Sequence, residues 1–246
     1  YSLANWDPIH FDPQHYFSND CNANGYGCID TLAINFDSTA IFNNGSCIYD
    51  RSYIPDDNFE AYLEATGMGD GIANNDSVFT FHIATVNTLS INNQGISDLT
   101  GLEKFGSLTS LSCTGNSFTN LDISNNPYIE ALYCGNSIFL DSLNVSNHPS
   151  LTYLYCWGNP MPYGLEYLNV NGADSLRYLD CAQNSLTNLD VSTNIALEGL
   201  YCNGNQLTNL DLSQNNSLTK LTCYNNLLTS LDLRNGNNAN FTDTLL

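Results

Sequence analysis

Nine cysteines and four histidines are the side chains of this 246-residue chain best suited to soft-metal ligation or nucleophilic chemistry. Six of the cysteines, Cys113, Cys134, Cys156, Cys181, Cys202 and Cys223, recur at intervals of 21 to 25 residues. A zinc site needs ligands that converge on a point, whereas regular spacing sets these thiols out in a line. "HFDPQH" gathers His10, Asp12 and His15 near Asp7, but Pro13 disrupts a helical placement, so a linker or docking segment is expected there. No nucleophile elbow and no HExxH stretch occurs, and the carboxylates fall into regular columns. Catalysis is therefore not expected.

The cysteines mark a repeat. From residue 108 the pattern of "LTSLSCTGNSFTNLDISNNPY" returns as "IEALYCGNSIFLDSLNVSNHPS", "LTYLYCWGNPMPYGLEYLNVNGADS", "LRYLDCAQNSLTNLDVSTNIA", "LEGLYCNGNQLTNLDLSQNNS" and "LTKLTCYNNLLTSLDLRNG". An imperfect copy starts at Val86 with Ile91 in the cysteine position. A repeat of this length cannot bury its leucines alone, so copies must stack into a solenoid around one shared core. Side chains alternate along a strand, which turns Leu154 and Cys156 inward and Tyr153, Tyr155 and Trp157 outward. The cysteine column then reads as small apolar filler. Parallel Cβ vectors give poor bridging geometry, so free buried thiols are expected.

The outward positions read Tyr133, Tyr153, Tyr155, Trp157, Tyr178, Asp180, Tyr201, Asn203, Lys220 and Tyr224. Tyr and Trp give large contact area at low entropic cost and dominate binding surfaces. This stripe suits stacking on sugar rings or gripping an extended peptide. The plainer alternative is that tyrosine simply favours a half-exposed strand.

Two asparagine columns, Asn116, Asn159, Asn184, Asn205, Asn226 and Asn126, Asn147, Asn194, Asn215, are expected to bond backbone at the turns. The column Asp122, Asn144, Asn169, Asp190, Asp211, Asp232 reads as turn capping rather than cation binding. "CGNSIFLDSL" displaces the first asparagine of its repeat and predicts a local bulge. Upstream, "YIPDDNFEAYLEATGMGDG" predicts a helix with Asp57 as N-cap, Glu60 completing a capping box, Phe59 and Leu63 on one face, and Gly67 as the stop.

Five basic against 25 acidic residues give a net charge of −20. Nucleic acid and an anionic membrane surface are poor partners for such a chain. No stretch approaches the ~20 apolar residues of a membrane span.

The consensus LxxLxCxxNxLxxLDxSxNxx, over 86–236, resembles the short, irregular leucine-rich repeats of secreted Bacteroidetes proteins. That resemblance implies a right-handed solenoid of parallel strands with LxxLxC on the concave face. "IPDDNFEAYL" resembles the segment that caps such solenoids. "GCIDTLAINFDSTAIFNNGSC" resembles an extracellular module written GCTDPTALNYNPxATxDDGSC. The module implies a Cys28–Cys47 disulfide and an oxidising compartment. It also offers calcium ligands at Asp30 and Asp37, weakened because Asn43 and Asn44 replace two carboxylates. Cys21 stays unassigned. Asp-Ser/Thr pairs resemble a Bacteroidetes O-glycosylation acceptor and imply glycans on Thr31, Ser38, Ser77, Ser142, Ser175 and Thr244.

The expected organisation is an extension or docking segment at 1–20, a small cysteine module at 21–50, a helical cap at 51–85, leucine-rich repeats at 86–236 and a patternless tail at 237–246. A signal peptide and a C-terminal sorting domain for type 9 secretion are expected outside it. The expected function is non-enzymatic recognition or adhesion at the outer cell surface or beyond, binding polysaccharide or protein on the aromatic face. The alternative is a structural or accessory subunit, or exported substrate, of an outer-membrane secretion assembly, with "NWDPIHFDPQHYF" as a docking strand. A third reading is the recognition arm of a larger enzyme.

Overall fold

The computed structural model describes residues 25–158, 164–237, 241 and the backbone of 243–245. His10, Asp12, His15, Cys21 and Asn159 lie outside the described residues. The chain divides into two compact units, Tyr1–Asp50 and Arg51–Leu246.

In the first unit, Tyr26–Gly27 (β1) pairs in parallel with Phe42–Asn43 (β2). Among its described residues the core is minimal: Cys28 and Ala33 are buried while Ile34 and Ile41 lie 70% and 74% exposed. Covalent and local polar links hold it instead. Cys28 and Cys47 form the expected disulfide. Asp30 accepts the Leu32 N–H and the Tyr49 hydroxyl, and Asp37 accepts the Thr39 N–H and hydroxyl. Both candidate calcium ligands thus act in turns.

The second unit begins with a cap. Arg51–Tyr53 (β3) pairs antiparallel with Ser77–Phe79 (β4), and the helix Asp57–Ala65 (α1) lies between them in sequence. Phe59 and Leu63, one turn apart, are fully buried, and the Phe59 ring stacks on Phe105 at 6.2 Å. The N-cap is Asp56, not Asp57. One carboxylate oxygen of Asp56 accepts the Asn58 and Phe59 N–H groups at 3.0 Å, and the other accepts the Ser97 and Asp98 N–H groups and the Ser97 hydroxyl. Asp56 therefore ties the helix start to the first repeat, a reach that sequence spacing cannot show. Burial works against its charge, but these donors win and hold its carboxyl below the usual range. Glu60 closes no capping box; it is buried and accepts the Asn75 and Asp76 N–H groups. Gly67, at φ 78°, ends α1 as expected, with Met68 N–H on the Leu63 carbonyl and Gly67 N–H on that of Glu64. A short helix, Thr80–Ile83 (α2), follows β4.

The repeats then coil. Thr88–Ser90 (β5), Ser110–Ser112 (β6), Ala131–Tyr133 (β7), Tyr153–Tyr155 (β9), Tyr178–Asp180 (β11), Gly199–Tyr201 (β12), Lys220–Thr222 (β14) and Asp243–Leu245 (β16) form one eight-stranded parallel sheet. Register stacks Leu89, Leu111, Leu132, Leu154, Leu179, Leu200 and Leu221 in a single inward row. The tail departs from the leucine pattern in sequence, yet its backbone joins the sheet: β16 pairs in parallel with β14 and takes the next rung. A second side of the coil carries the "LDxS" stretches. There Ser142–Asn144 (β8) pairs with Tyr167–Asn169 (β10), and Asn209–Asp211 (β13) with Ser230–Asp232 (β15).

The cysteine column is buried and unbridged at Cys113, Cys134, Cys156, Cys181, Cys202 and Cys223. Burial pushes the Cys134 thiol up to about 12, so these groups stay neutral and act as packing.

Asparagines close the turns. Asn184 donates to the carbonyls of Cys156 and Cys181 and accepts the Leu165 N–H; Asn116, Asn205 and Asn226 repeat the arrangement. In the second repeat Ser137 occupies this position, too short to reach, and its buried hydroxyl has no partner. Ile138 and Phe139 protrude at the extra residue of this repeat, where the bulge is expected. In the other column Asn126, Asn194 and Asn215 bond backbone carbonyls, but Asn147 does not belong. It sits exposed at φ 61°, and buried His148 reaches the Ile123 carbonyl in its place.

The turn after each strand of the long sheet requires a left-handed residue. Asn93, Gly115, Asn136, Gly158, Gln183, Gly204 and Asn225 all have positive φ there. Glycines alternate with amide side chains, because each amide lies over the next rung's glycine: a Cβ on Gly158 would sit 2.5 Å from Asn136 Oδ1, and one on Gly204 2.5 Å from Gln183 Nε2.

Candidate recognition surface

The long sheet turns two side-chain rows and one flanking row outward. One row runs Ala131, Tyr153, Tyr178, Gly199, Lys220 and the next Tyr133, Tyr155, Asp180, Tyr201, Thr222. Rungs about 4.8 Å apart bring like residues on neighbouring strands to stacking distance. Tyr133 and Tyr155 stack at 4.9 Å and Tyr153 and Tyr178 at 5.4 Å, each pair 3° from parallel. Tyr155, half-buried, has its phenol pushed up first by burial and then by the neighbouring tyrosines and Asp180. Trp157, 44% exposed, and Tyr224, 39% exposed, stand in the flanking row.

Tyr178 is fixed at its far end. Its hydroxyl donates to Glu198 Oε2 at 3.1 Å, which raises the phenol pKa, while Arg177 pairs with Oε1 of the same carboxylate. Gly199 makes room for it. A Cβ there would fall 2.9 Å from Tyr178 Cδ1 and 3.5 Å from Tyr201 Cε2, so both rings occupy the space that a side chain would fill.

The rung of β11 differs from its neighbours. Asp180 stands between Tyr155 and Tyr201 in register. Ala182 stands between Trp157 and Asn203, as the Gly158 N–H to Ala182 carbonyl and Gln183 N–H to Asn203 carbonyl bonds show. Two short side chains beside Tyr155, Trp157 and Tyr201 define a shallow trough one rung wide; Ala182 is 9% exposed, so half-buried Asp180 is the part of it that meets solvent. Burial raises the Asp180 pKa, and the Ala182 N–H offsets this only partly. Asp180 makes no ion pair among the described residues.

Of the other predicted positions, Asn203 is 8% exposed and belongs to the wall of the trough rather than to an open surface. Lys220 is half-buried. Thr31, Ser38, Ser142 and Ser175 are exposed. Ser77 is half-buried and its hydroxyl is engaged with Arg51, Asp70 and Asn75; the side chain of Thr244 lies outside the described residues. The Asp122 column caps turns throughout: Asp122, Asn144, Asn169, Asp190, Asp211 and Asp232 each accept the N–H two residues on. Among the described residues, three acidic groups converge at Asp57, Glu60 and Asp76, a set that includes neither Asp30 nor Asp37. Gly199, Ala182 and the Arg177–Glu198 pair were not singled out from sequence. Their signal was the break in pattern: glycine and alanine where neighbouring repeats carry large outward residues.

No protein-family model matches the chain. Over 76 residues it is 37% identical to Internalin J of Listeria monocytogenes, a match covering 31% of this chain and 8% of that protein. A structure of the functional domain of that internalin, described as including a cysteine ladder, is 31% identical across 75% of this chain and 50% of its own, with a TM-score of 0.40. A Leptospira interrogans leucine-rich-repeat protein gives a TM-score of 0.58 at 24% identity, covering 68% of this chain and 44% of the other. Internalin C2 of Listeria monocytogenes gives 0.53 at 18% identity over 79% of this chain and 98% of its own. The chain spans half or less of the Internalin J domain and the Leptospira protein. Among the described residues, no helix is long and apolar enough to cross a membrane. The chain is a leucine-rich-repeat solenoid whose sequence is related to a Listeria internalin.

Proposed function

We propose that this chain is a non-enzymatic recognition protein that binds a protein partner across the tyrosine-rich long sheet. The observation that carries the reading is the pair of parallel ring stacks, Tyr133–Tyr155 and Tyr153–Tyr178, on a sheet whose backbone is fixed by register. Aromatic rings so ordered lose little freedom on binding. The Cys28–Cys47 disulfide supports a location outside the reducing cytosol. In the same reading the exposed hydroxyls of Thr31, Ser38, Ser142 and Ser175 carry glycans in the native host. An intact mass equal to the bare polypeptide contradicts that part alone.

The test is a binding panel of extracellular protein domains and polysaccharides, run with the chain and with a variant in which Tyr155, Trp157 and Tyr178 are all changed to Ala. Binding to a protein that the triple change removes, with circular dichroism unchanged, supports the proposal. Binding that survives the triple change contradicts it, and a polysaccharide as the sole ligand shifts the ligand class.

A further inference from the structure

We infer that the trough at β11 seats a lysine or arginine side chain of the protein partner, its cationic head on Asp180 and its stem between Tyr155 and Tyr201. The inference rests on the recognition reading above and names the chemistry of its ligand.

Three observations meet at this rung. Asp180 is the carboxylate in the column Ser112, Tyr133, Tyr155, Asp180, Tyr201, Thr222, set in register between Tyr155 and Tyr201. It is half-buried, yet it has no basic partner among the described residues, although Arg51, Arg177 and Arg234 each have a carboxylate. Its flanking position is Ala182, a short and nearly buried side chain in register with Trp157, so no large neighbour on its own strand stands over the carboxylate. A carboxylate desolvated by its neighbours and left without a counter-ion is an incomplete electrostatic arrangement. An ammonium or guanidinium completes it and meets the faces of tyrosine rings, which attract cations through their quadrupole. A net charge of −20 draws a basic partner toward the chain from a distance. The Arg177–Glu198 pair holds Tyr178 aside over Gly199, which keeps the trough clear on that flank.

The probes are extended peptides with a central lysine, arginine or glutamine triplet in a Gly-Ser frame, and chitosan hexamer as a non-peptide cation. Binding is followed by calorimetry and by tyrosine ring NMR signals on the chain as given. Asp180→Asn keeps the oxygen that accepts the Ala182 N–H and removes the charge. Glu166→Gln, exposed and outside the long sheet, removes the same charge elsewhere. The lysine and arginine peptides are expected to bind about tenfold or more tighter than the glutamine peptide, and Asp180→Asn to weaken them about tenfold. Glu166→Gln should change binding by less than about twofold, as a screened surface charge does. Equal loss in both variants, or a glutamine peptide that binds as well, overturns the seat for a cation. If the Tyr155, Trp157 and Tyr178 triple change still abolishes that glutamine peptide, the recognition reading survives. No peptide binding, or chitosan binding alone, overturns the inference of a basic polypeptide.

Discussion

The two sides of the coil use the same hydrogen bond for different ends. On the second side Asp122, Asp190 and Asp232 accept an N–H two residues on, and on the long sheet Asp180 does the same. The second-side carboxyls are held below their usual pKa, Asp122 by the Ser124 backbone, Asp190 by the Ser192 hydroxyl, and Asp232, at about 2, by the Arg234 guanidinium. Asp180 is pushed the other way by burial among tyrosines. A donor in the open stabilises the charge, whereas the same donor in a half-buried aromatic setting does not fully replace lost water. The second side is thus built to hold turns, and the long sheet keeps a group whose charge the fold itself disfavours. The recognition proposal assigns that group to the binding surface.

That contrast can be broken from several directions. Leu200→Ala removes a fully buried member of the inward row shared by both sides and should cost about 2–5 kcal/mol in urea unfolding. A smaller cost means that the repeats do not unfold as one unit. Gly204→Ala forces a side chain into φ 68° and against Gln183, and should cost at least about 1–2 kcal/mol. Gly45→Ala, where no atom lies within 4 Å of the new Cβ, isolates the strain term alone. Asp190→Ala should lower stability by about 0.5–1.5 kcal/mol, the worth of one hydrogen bond, and leave ligand binding untouched.

Asp180→Asn should have the smallest effect on stability and the opposite sign. Its folded pKa is raised, so its contribution to stability is present below the ordinary carboxylate pKa and is lost as pH rises through the folded value. The variant should therefore match the parent melting temperature in acid and equal or exceed it at neutral pH. The second-side carboxylates, with lowered pKa values, contribute above the ordinary pKa and lose that contribution as pH falls. A variant less stable than the parent at pH 7 would mean that Asp180 is a structural cap like the rest.

The repeat was legible because its constraint is periodic: every Leu and Cys of the column answers to the same inward position. What sequence missed was set by contacts between rungs or across long separations. Asp56 rather than Asp57 caps α1 because its second oxygen meets Ser97, 41 residues away. His148 replaces Asn147 because reach to the Ile123 carbonyl, not residue type, defines that column. The tail joins the sheet through backbone pairing, which needs no leucine motif. The aromatic stripe was visible as outward residues, but its trough was not, since Ala182 acts by being short and Gly199 by giving its space to the Tyr178 and Tyr201 rings.

The most direct measurement is oxidative footprinting of tyrosine and tryptophan on the chain with and without its bound partner. Tyr128 and Tyr167, 60% and 56% exposed outside the long sheet, serve as internal references. The recognition reading predicts protection of Tyr153, Tyr155, Trp157 and Tyr201 with Tyr128 and Tyr167 unchanged. Protection of Tyr128 or Tyr167 with the long sheet still reactive would place the interface elsewhere and contradict it.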